Sequence, residues 1–456
     1  MIGPLVSPKR MVVACFLHLT IVACTGSKAS EGTDSDSIDR TDAGADTSTN
    51  TSSDNDALHF IVDAQLASDV HPNAPGTVGI VTWSIDIAVT SATIEFGLNT
   101  DYGMTAPVDM DTPDRRTLLL GMKPNRQYHF RIVAESGDNV YTSDDYGIQT
   151  GPATNLVNLD KFDVIDPGSR EPGFIVTAYY QANYSSDGQS NGTLAFIIDQ
   201  DGEIVWWYRA AASNICRARM SADGKSMWLS NLDLAVGLER VTMDTLASEI
   251  YDVGPSQDIT PITGDLMAYL DYSEPDCSSI FEIDPSGSTR EVFESEGLVP
   301  ERLCAGNALR YSQTEDVFTF SDHFNDIFIV DRSGQVSWRL SDIVPGGWGG
   351  AQHGHHLLDN SLIIYANAGN KGVSTANEYD LDGTLLMQYD AGYFTYNLGD
   401  VQRLPGGNTL VTFSTAAIIH EISPEGKPVL EINTGNPIGY TSWRRSLYGP
   451  PEDIRL

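Results

Sequence analysis

Short apolar runs separated by a polar turn recur six times between residues 197 and 433. Each copy has an apolar run, an Asp or Ser, a turn and another apolar run, as in IFIVDRSGQVSWRL (327–340). The copies lie 40 to 49 residues apart when they are aligned on Asp199, Asp244, Asp284, Asp331, Asp380 and Ser423. A strand-rich repeat of this length is typical of β-propeller blades. We therefore predict an all-β chain with a six-bladed β-propeller over 151–456.

A second strand signal precedes each copy, as in SADGKSMWLS (221–230) and LDNSLIIYA (358–366). The polar turn followed by apolar alternation predicts the innermost strand of a blade. The Asp-x-x-Gly elements inside the repeat are predicted to be tight turns between outer strands. They lack the long spaced ligand set and the terminal Glu of a calcium loop.

A different alternation occupies residues 57–150. TVGIVTWSI (77–85) and RTLLLGMKPNRQYHFRIVAES (116–136) predict the strands of a small β-sandwich, with Trp83 in its core. The spacing of Leu120, Pro124 and Tyr128 resembles a fibronectin type III domain, in which Tyr128 would be the corner tyrosine. We interpret this region as a spacer, with a carbohydrate- or partner-binding module as the alternative.

The first 56 residues predict export. Lys9 and Arg10 precede an apolar run, 11–23, that is too short to span a bilayer but typical of a signal peptide. Ile21-Val22-Ala23-Cys24 resembles a bacterial lipobox, which predicts a signal peptide over 1–24 and a lipid on Cys24; an ordinary signal peptide cut nearby is the alternative. Residues 25–56 are rich in Ser, Thr, Asp and Gly and predict a disordered acidic linker. We expect an exported protein, lipid-anchored to a bacterial membrane in the periplasm or at the cell surface.

The charge and the cysteine content limit which binding partners, disulfides and metal sites are expected. The net charge of −35 argues against nucleic acid, because binding phosphates requires a basic face. Beyond Cys24, the cysteines Cys216, Cys277 and Cys304 allow one disulfide, and three pairings remain open. The sequence contains no CxxC or similar spacing of metal ligands. We therefore predict neither a metal nor a cofactor.

Alignment of the repeats brings five polar segments to equivalent positions, where the mouth of a propeller channel is expected. They are ICRARM (215–220), PSQDIT (255–260), LCAGNALRY (303–311), GGAQHGHHLL (349–358) and LGDVQRL (398–404). Polar residues that interrupt an apolar pattern are where function tends to collect. In one strand His353 and His355 would point the same way, about 7 Å apart, with His356 opposite. His353 could be a nucleophile or acid–base group, His353 and His355 could chelate a metal, or His353 could be structural.

These segments also resemble a known family. AQHGHHLLDNSLIIYANAGN (351–370), GDVQRLPGGNTLVTFS (399–414) and the closing SWRRSLYGPP (442–451) are similar to the bacterial arylsulfotransferases, over roughly 160–450. The resemblance implies an exported six-bladed propeller that uses no nucleotide sulfate donor. It also implies transfer of a sulfuryl group from a phenolic or aryl sulfate ester to a phenol, through a sulfo-histidine.

The family's Gln-His motif falls on Gln352-His353, so His353 would be the nucleophile. Its His-His-Asp element falls on Ser256-Gln257-Asp258, its His-x-Asn element on 305–307, and its Arg near His323. The resemblance thus implies catalytic roles for His353, His323 and Asn307, and substrate-binding roles for Gln257 and Asp258. Substrate-binding residues that could replace the missing donors lie in the equivalent segments: Arg217, Arg219, His355 and Arg403. The missing histidines favour an alternative, a degenerate propeller that binds a ligand or protein without chemistry. A metal-dependent hydrolase or lyase using His353 and His355 is the third reading.

Overall fold

The computed structural model describes residues 59–153, 157–181, 193–212, 214–231, 237–271, 278–295, 306–322, 326–343, 352–367 and 372–451. The predicted signal peptide, Cys24, the linker, Cys277, Cys304 and His323 lie outside these ranges. The chain divides into 1–57 and 58–456, and only the second unit is described below. Within the described ranges the only α-helix is α1 (Ala67–Val70), and no helix there is long and apolar enough to cross a membrane.

Residues 60–149 form two antiparallel sheets around an apolar core. One contains β1 (Phe60–Leu66), β2 (Gly79–Ile85) and β5 (Thr117–Leu119). The other contains β3 (Ser91–Gly97), β4 (Met104–Pro107), β6 (Gln127–Ser136), β7 (Asn139–Thr142) and β8 (Tyr146–Gln149). Alternate residues of β6 are buried, and the Tyr128 hydroxyl accepts a hydrogen bond from the Lys123 N–H at 2.8 Å. A 3-10 turn, Pro113–Arg115, precedes β5.

Six further sheets follow, and in four of them the strands pair in chain order. Sheet 2 has β13 (Ile215–Met220), β14 (Ser226–Asn231), β15 (Leu238–Thr242) and β16 (Ser248–Tyr251). Sheet 3 has β17 (Pro255–Pro261), β18 (Met267–Asp271), β19 (Ser279–Ile283) and β20 (Thr289–Glu294). Sheet 4 has β21 (Gly306–Ser312), β22 (Val317–Asp322), β23 (Ile327–Asp331) and β24 (Val336–Arg339). Sheet 5 has β25 (Gln352–Leu357), β26 (Ser361–Ala366), β27 (Thr375–Asp380) and β28 (Leu385–Asp390).

Sheets 1 and 6 join the two ends of this region. In sheet 1, β10 (Phe174–Ala178), β11 (Leu194–Ile198) and β12 (Ile204–Arg209) are completed by β33 (Ser442–Arg444), which pairs with β10. In sheet 6, β29 (Asp400–Arg403), β30 (Thr409–Phe413), β31 (Ile418–Ile422) and β32 (Pro428–Asn433) gain β9 (Lys161–Val164) at the outer edge. Short 3-10 turns lie at Leu340–Asp342 and Ser414–Ala416. The first strands of sheets 2 to 6 lie side by side in order, and β10 of sheet 1 packs against β13, which is the architecture of a β-propeller.

The repeated polar turns are tight turns, as predicted. The Oδ1 of Asp199 accepts the backbone N–H groups of Asp201 at 2.9 Å and Glu203 at 2.8 Å, while Gly202 adopts φ of +83°. Asp284, Asp331 and Asp380 repeat the arrangement, each with a glycine of positive φ. These carboxylates therefore close the loops with their own backbone.

The prediction of the innermost strands was wrong by one strand. The apolar segments after the polar turns are the second strands of their sheets, β14, β18, β22, β26 and β30. The five polar segments are themselves the first strands, and β13 and β25 are buried along their whole length. A polar strand can be buried here because its charged groups pair with those of other first strands across the centre.

The sandwich and the propeller meet in a shared apolar cluster. Val78, Ile80 and Leu120 pack in one cluster with Val176 and Trp206 of sheet 1. The interface is polar at its rim, where Lys123 lies 3.3 Å from Asp199 and 3.3 Å from Glu203. The Tyr448 hydroxyl, beyond β33, donates to the Leu118 carbonyl at 3.0 Å. The two regions are therefore held together by burial as well as by charge.

Candidate functional site

A β-bulge marks the start of the first strand in four sheets. The register with the second strand shifts at Cys216, at 256–258, at Asn307 and at 353–354. A bulge leaves residues unpaired and redirects them, and bulges concentrate next to functional sites. The bulged positions include Gln257, Asn307 and His353, three residues predicted for the site.

The imidazole of His353 is buried and held by an asparagine that directly follows β26, the next strand of its own sheet. Its Nδ1 contacts the Asn367 Oδ1. The Asn367 Nδ2 donates to the Leu398 carbonyl at 2.6 Å, which leaves Oδ1 facing the ring. His353 must therefore donate from Nδ1, and in the neutral ring the lone pair lies on Nε2.

A second asparagine faces the other ring nitrogen. The Asn397 amide lies 3.1 Å from the Nε2 of His353 and 3.0 Å from the Tyr180 hydroxyl. The tyrosine hydroxyl can donate or accept, so either orientation of this amide is satisfied. With Oδ1 toward the ring the amide suits a protonated His353, and with Nδ2 toward the ring it suits a neutral one. The pocket is thus compatible with both charge states of the imidazole.

Tyr440 connects His353 to the other bulged positions. Its ring centroid lies 6.3 Å from that of His353. Its hydroxyl lies 3.1 Å from the Gln257 Oε1 and donates to the Asn307 carbonyl at 2.8 Å. The Asn307 side chain donates to the Gln352 carbonyl. The structure therefore brings three predicted residues together, through a tyrosine that the sequence analysis did not select.

Beneath this group lies a buried set of two arginines and two aspartates, the ion-pair layer (Arg217, Asp258, Arg310 and Asp400). Arg217 binds both oxygens of Asp258, at 2.7 and 3.0 Å, and the Asp400 Oδ2 at 2.7 Å. Arg310 donates to the Asp400 Oδ1 at 2.9 Å and to the Val401 carbonyl at 2.6 Å. The Arg217 guanidinium lies 4.3 Å from the Tyr440 ring centroid, a cation–π contact.

The charges of this layer stabilise one another. Burial alone would lower the pKa of Arg217, but Asp258 and Asp400 raise it. Burial alone would raise the pKa of Asp258, but Arg217 and Arg219 hold it below its usual value. Both groups are therefore charged across the physiological range, although neither is exposed.

Arg219 follows two residues after Arg217 and is less well paired. Its side chain is 8% exposed, and its Nε and Nη2 have no hydrogen-bond partner. The Asp258 Oδ1 is 4.0 Å from Nη2 and is already bound by Arg217. Burial and the neighbouring Arg217 lower the pKa of Arg219 to about 9.

His355 and His356 do not join His353. The bulge breaks the alternation of side chains along β25, so His353 and His355 have different partners. The prediction that these two histidines point the same way was therefore wrong. The His355 Nε2 lies 2.9 Å from the Thr319 hydroxyl, and the His356 Nδ1 accepts the Arg403 N–H at 2.8 Å. Burial and Arg310 lower the pKa of His355 to about 3 and that of His356 well below its usual value.

Two other predicted residues are placed by the structure as follows. The Arg403 guanidinium binds Glu378 and the Gly407 carbonyl, away from the His353 pocket. Cys216 is a buried free thiol whose pKa is raised by burial, which removes the two disulfide pairings that use it. Across the described ranges, no three His, Cys, Asp or Glu side chains gather as metal ligands.

Comparisons with known proteins add the following. No family model and no curated protein matches the sequence. Solved structures with a similar chain path include a Bacteroides caccae protein of unknown function, with 16% identity, TM-score 0.43 and coverage of 60% of this chain and 100% of that one. Virginiamycin B lyase from Staphylococcus aureus has 17% identity, TM-score 0.39, and coverage of 60% and 87%. The β-propeller domain of Myceliophteria thermophila Cps50 (Swd1) has 10% identity, TM-score 0.39, and coverage of 61% and 90%.

These scores are too low to support an argument about function. The assignment of a β-propeller rests on the sheets of this structure, with their ordered first strands and interlocked ends. Fold and site together define a β-propeller whose centre holds a buried histidine pocket above an ion-pair layer.

Proposed function

We propose that this protein is a six-bladed, arylsulfotransferase-like enzyme that moves a sulfuryl group from an aryl sulfate ester to a phenol through His353. The observation that carries the proposal is the Asn367 contact, which commits Nδ1 to donation and leaves the lone pair on Nε2. A neutral imidazole whose lone pair lies on Nε2 is a good nucleophile near neutral pH, once the substrate displaces the Asn397 amide from that nitrogen. Gln257 and Asn307 both contact the Tyr440 hydroxyl beside His353, so they would lie next to a substrate bound there.

The transfer would proceed in two balanced steps. In the first, Nε2 of neutral His353 attacks the sulfur, an N–S bond forms, the ester S–O bond breaks and a phenolate leaves. In the second, a phenolate acceptor attacks the same sulfur, and the N–S bond breaks to return neutral His353. Asn367 keeps the Nδ1 proton in place through both steps, so the ring changes charge only at Nε2.

The local charge supports an anionic substrate despite the acidic chain. Arg217 is a cation close to the His353 pocket, because its guanidinium stacks on the Tyr440 ring beside that histidine. A fixed positive charge in a site closed to water stabilises an anion more strongly than it would in solvent.

Release of p-nitrophenol from its sulfate ester, with phenol as acceptor, tests this proposal. We expect the purified protein to turn over and His353→Ala to lose all burst and steady-state release. His129→Gln is the matched control, because that histidine lies in the sandwich beside Asp145. Turnover that is unchanged in His353→Ala contradicts the proposed nucleophile.

A second function, binding without chemistry, is favoured by a specific observation. Arg217 uses its guanidinium for Asp258, Asp400 and the Thr441 carbonyl, and the Asn307 amide is bound to Gln352. Donors that are already engaged stabilise a transition state less well. If this function holds, calorimetry will show aryl sulfate binding that survives His353→Ala, without release of phenol.

Export and a lipid on Cys24 belong to the same proposal, and they rest on the lipobox-like sequence at 21–24. Expression of the full chain in a bacterium followed by fractionation tests them. The chain is expected in the membrane fraction and released by detergent, whereas Cys24→Ala is expected in the soluble fraction.

A further inference from the structure

The side chain of Arg219 is a buried cation whose hydrogen-bonding capacity is unused. Its Nε and Nη2 are buried without a partner, and within the described residues the nearest carboxylate oxygen is 4.0 Å away. Buried guanidinium groups normally bind carboxylates or carbonyls, as Arg217 and Arg310 do beside it. An unpaired buried cation of this kind is costly unless something outside the chain binds it.

The neighbouring carboxylates cannot take this role. Asp258 accepts two hydrogen bonds from Arg217 and others from the Leu309 and Ile259 N–H groups. Asp400 accepts from Arg217, Arg310 and the Val401 N–H. Three arginines therefore share two saturated carboxylates, and the surplus charge resides at Arg219.

Arg219 also lies on the opposite side of the ion-pair layer from His353. It follows Arg217 by two residues in a regular part of β13, which displaces it by about 7 Å along the strand on the same face. Arg217 stacks on the Tyr440 ring, and Tyr440 lies beside His353. His353 lies near the start of β25 and Arg219 near the end of β13, so the order along the first strands is the His353 pocket, the ion-pair layer and then Arg219.

The buried, unpartnered edge of the Arg219 guanidinium has the geometry that oxyanions require. Its unpartnered atoms, Nε and Nη2, are the same pair with which Arg217 binds both oxygens of Asp258. This edge of a guanidinium matches two oxygens of a carboxylate, sulfate or phosphate. His356, whose pKa is depressed in part by Arg219, has an unpartnered buried Nε2 as well.

We propose that Arg219 binds a small oxyanion through Nε and Nη2, at a channel site separated from His353 by the ion-pair layer. The ligand is a free sulfate or phosphate or a small carboxylate, and it completes the charge balance of the channel. This site is independent of sulfuryl transfer, since its ligand does not contact the His353 pocket.

Thermal unfolding of the full chain tests the site. Sodium sulfate, phosphate and acetate are titrated at constant ionic strength against sodium chloride. We expect at least one oxyanion to raise the unfolding midpoint saturably, and the apparent affinity to fall at least tenfold in Arg219→Gln. Arg219→Lys keeps the charge but loses the paired N–H donors of the guanidinium, so it should also weaken binding. Arg131→Gln is the matched control, since Arg131 is bound to Glu95 in the sandwich, and it should bind as the parent does.

Two further readouts separate this site from the transfer site. His353→Ala should retain the oxyanion effect in full, whatever its sulfuryl-transfer activity. Crystals soaked in selenate should show an anomalous peak within hydrogen-bond distance of Arg219. The proposal is overturned if no oxyanion acts saturably, if Arg219→Gln binds as tightly as the parent, or if His353→Ala abolishes the effect.

Discussion

The ion-pair layer predicts a large penalty for removing one buried charge. In Asp400→Asn the shape is kept, but the side chain loses the negative charge that Arg217 and Arg310 share. One oxygen also becomes an NH₂ group that faces a guanidinium donor. Arg310 is then left without any carboxylate among its described partners.

The size of the effect follows from burial. All four members of the layer are at most 4% exposed at the side chain. Breaking a buried pair by removing one partner costs about 3 to 5 kcal/mol, because the other charge remains buried. Adding Arg310→Met to Asp400→Asn should recover part of that loss, since it removes the unpaired cation.

Urea unfolding followed by far-UV circular dichroism measures this difference. The matched control is Asp163→Asn, which removes a carboxylate from an exposed pair with Lys161 and should change the midpoint little. If Asp400→Asn is no more destabilising than Asp163→Asn, the ion-pair layer does not hold the propeller together as described.

Three further predictions follow from particular contacts. Because burial lowers the pKa of His355 to about 3 from 6.5, its unfolded form binds a proton that the folded form does not. The free energy of unfolding should therefore fall by up to about 1.4 kcal/mol per pH unit as the pH drops from 6.5 toward 3, and His355→Gln should flatten this slope in urea titrations at each pH. Gly354→Ala should displace Asp400, whose Cα would lie 2.6 Å from the new Cβ, and destabilise the protein by several kcal/mol in the same titrations. Lys123→Met removes the ion pair with Asp199 and should lower the free energy of unfolding by about 1 kcal/mol. Calorimetry should still show a single unfolding transition, because the sandwich and the propeller share an apolar cluster around Leu120. Two separated transitions would contradict this.

The repeat predicted the strands and turns well because both depend on local sequence. An Asp that accepts N–H groups two and four residues later, followed by a glycine of positive φ, is visible without any tertiary information. The innermost strands were harder to predict. Apolar alternation made the second strand of each sheet look like the innermost one. The first strand carries charged residues, and these can be buried only because charges on other sheets pair with them.

The candidate site was partly visible in the same way. His353, Asn307 and Gln257 lie in segments that the repeat brings into register, and the structure brings them together around Tyr440. Arg310 lies in segment 303–311 and Asp400 in segment 398–404, which the repeat also brings into register. Their opposite charges in aligned segments were the signal that could have identified the ion-pair layer.

The partners of His353 could not be found from the sequence. The four partners come from the residue after a second strand (Asn367), a loop (Asn397) and the two ends of the propeller (Tyr180 and Tyr440). Each is an ordinary residue in its own segment, and they become neighbours only when the sheets pack together and β33 pairs with β10. The spacing of residues within any one segment does not predict that they surround His353.

Mass spectrometry of the protein quenched during reaction with p-nitrophenyl sulfate tests the central claim most directly. We predict that the peptide containing His353 gains the mass of one sulfuryl group, that the label is lost on addition of phenol, and that His353→Gln carries none. A protein that releases p-nitrophenol while the His353 peptide never carries the label would contradict the account.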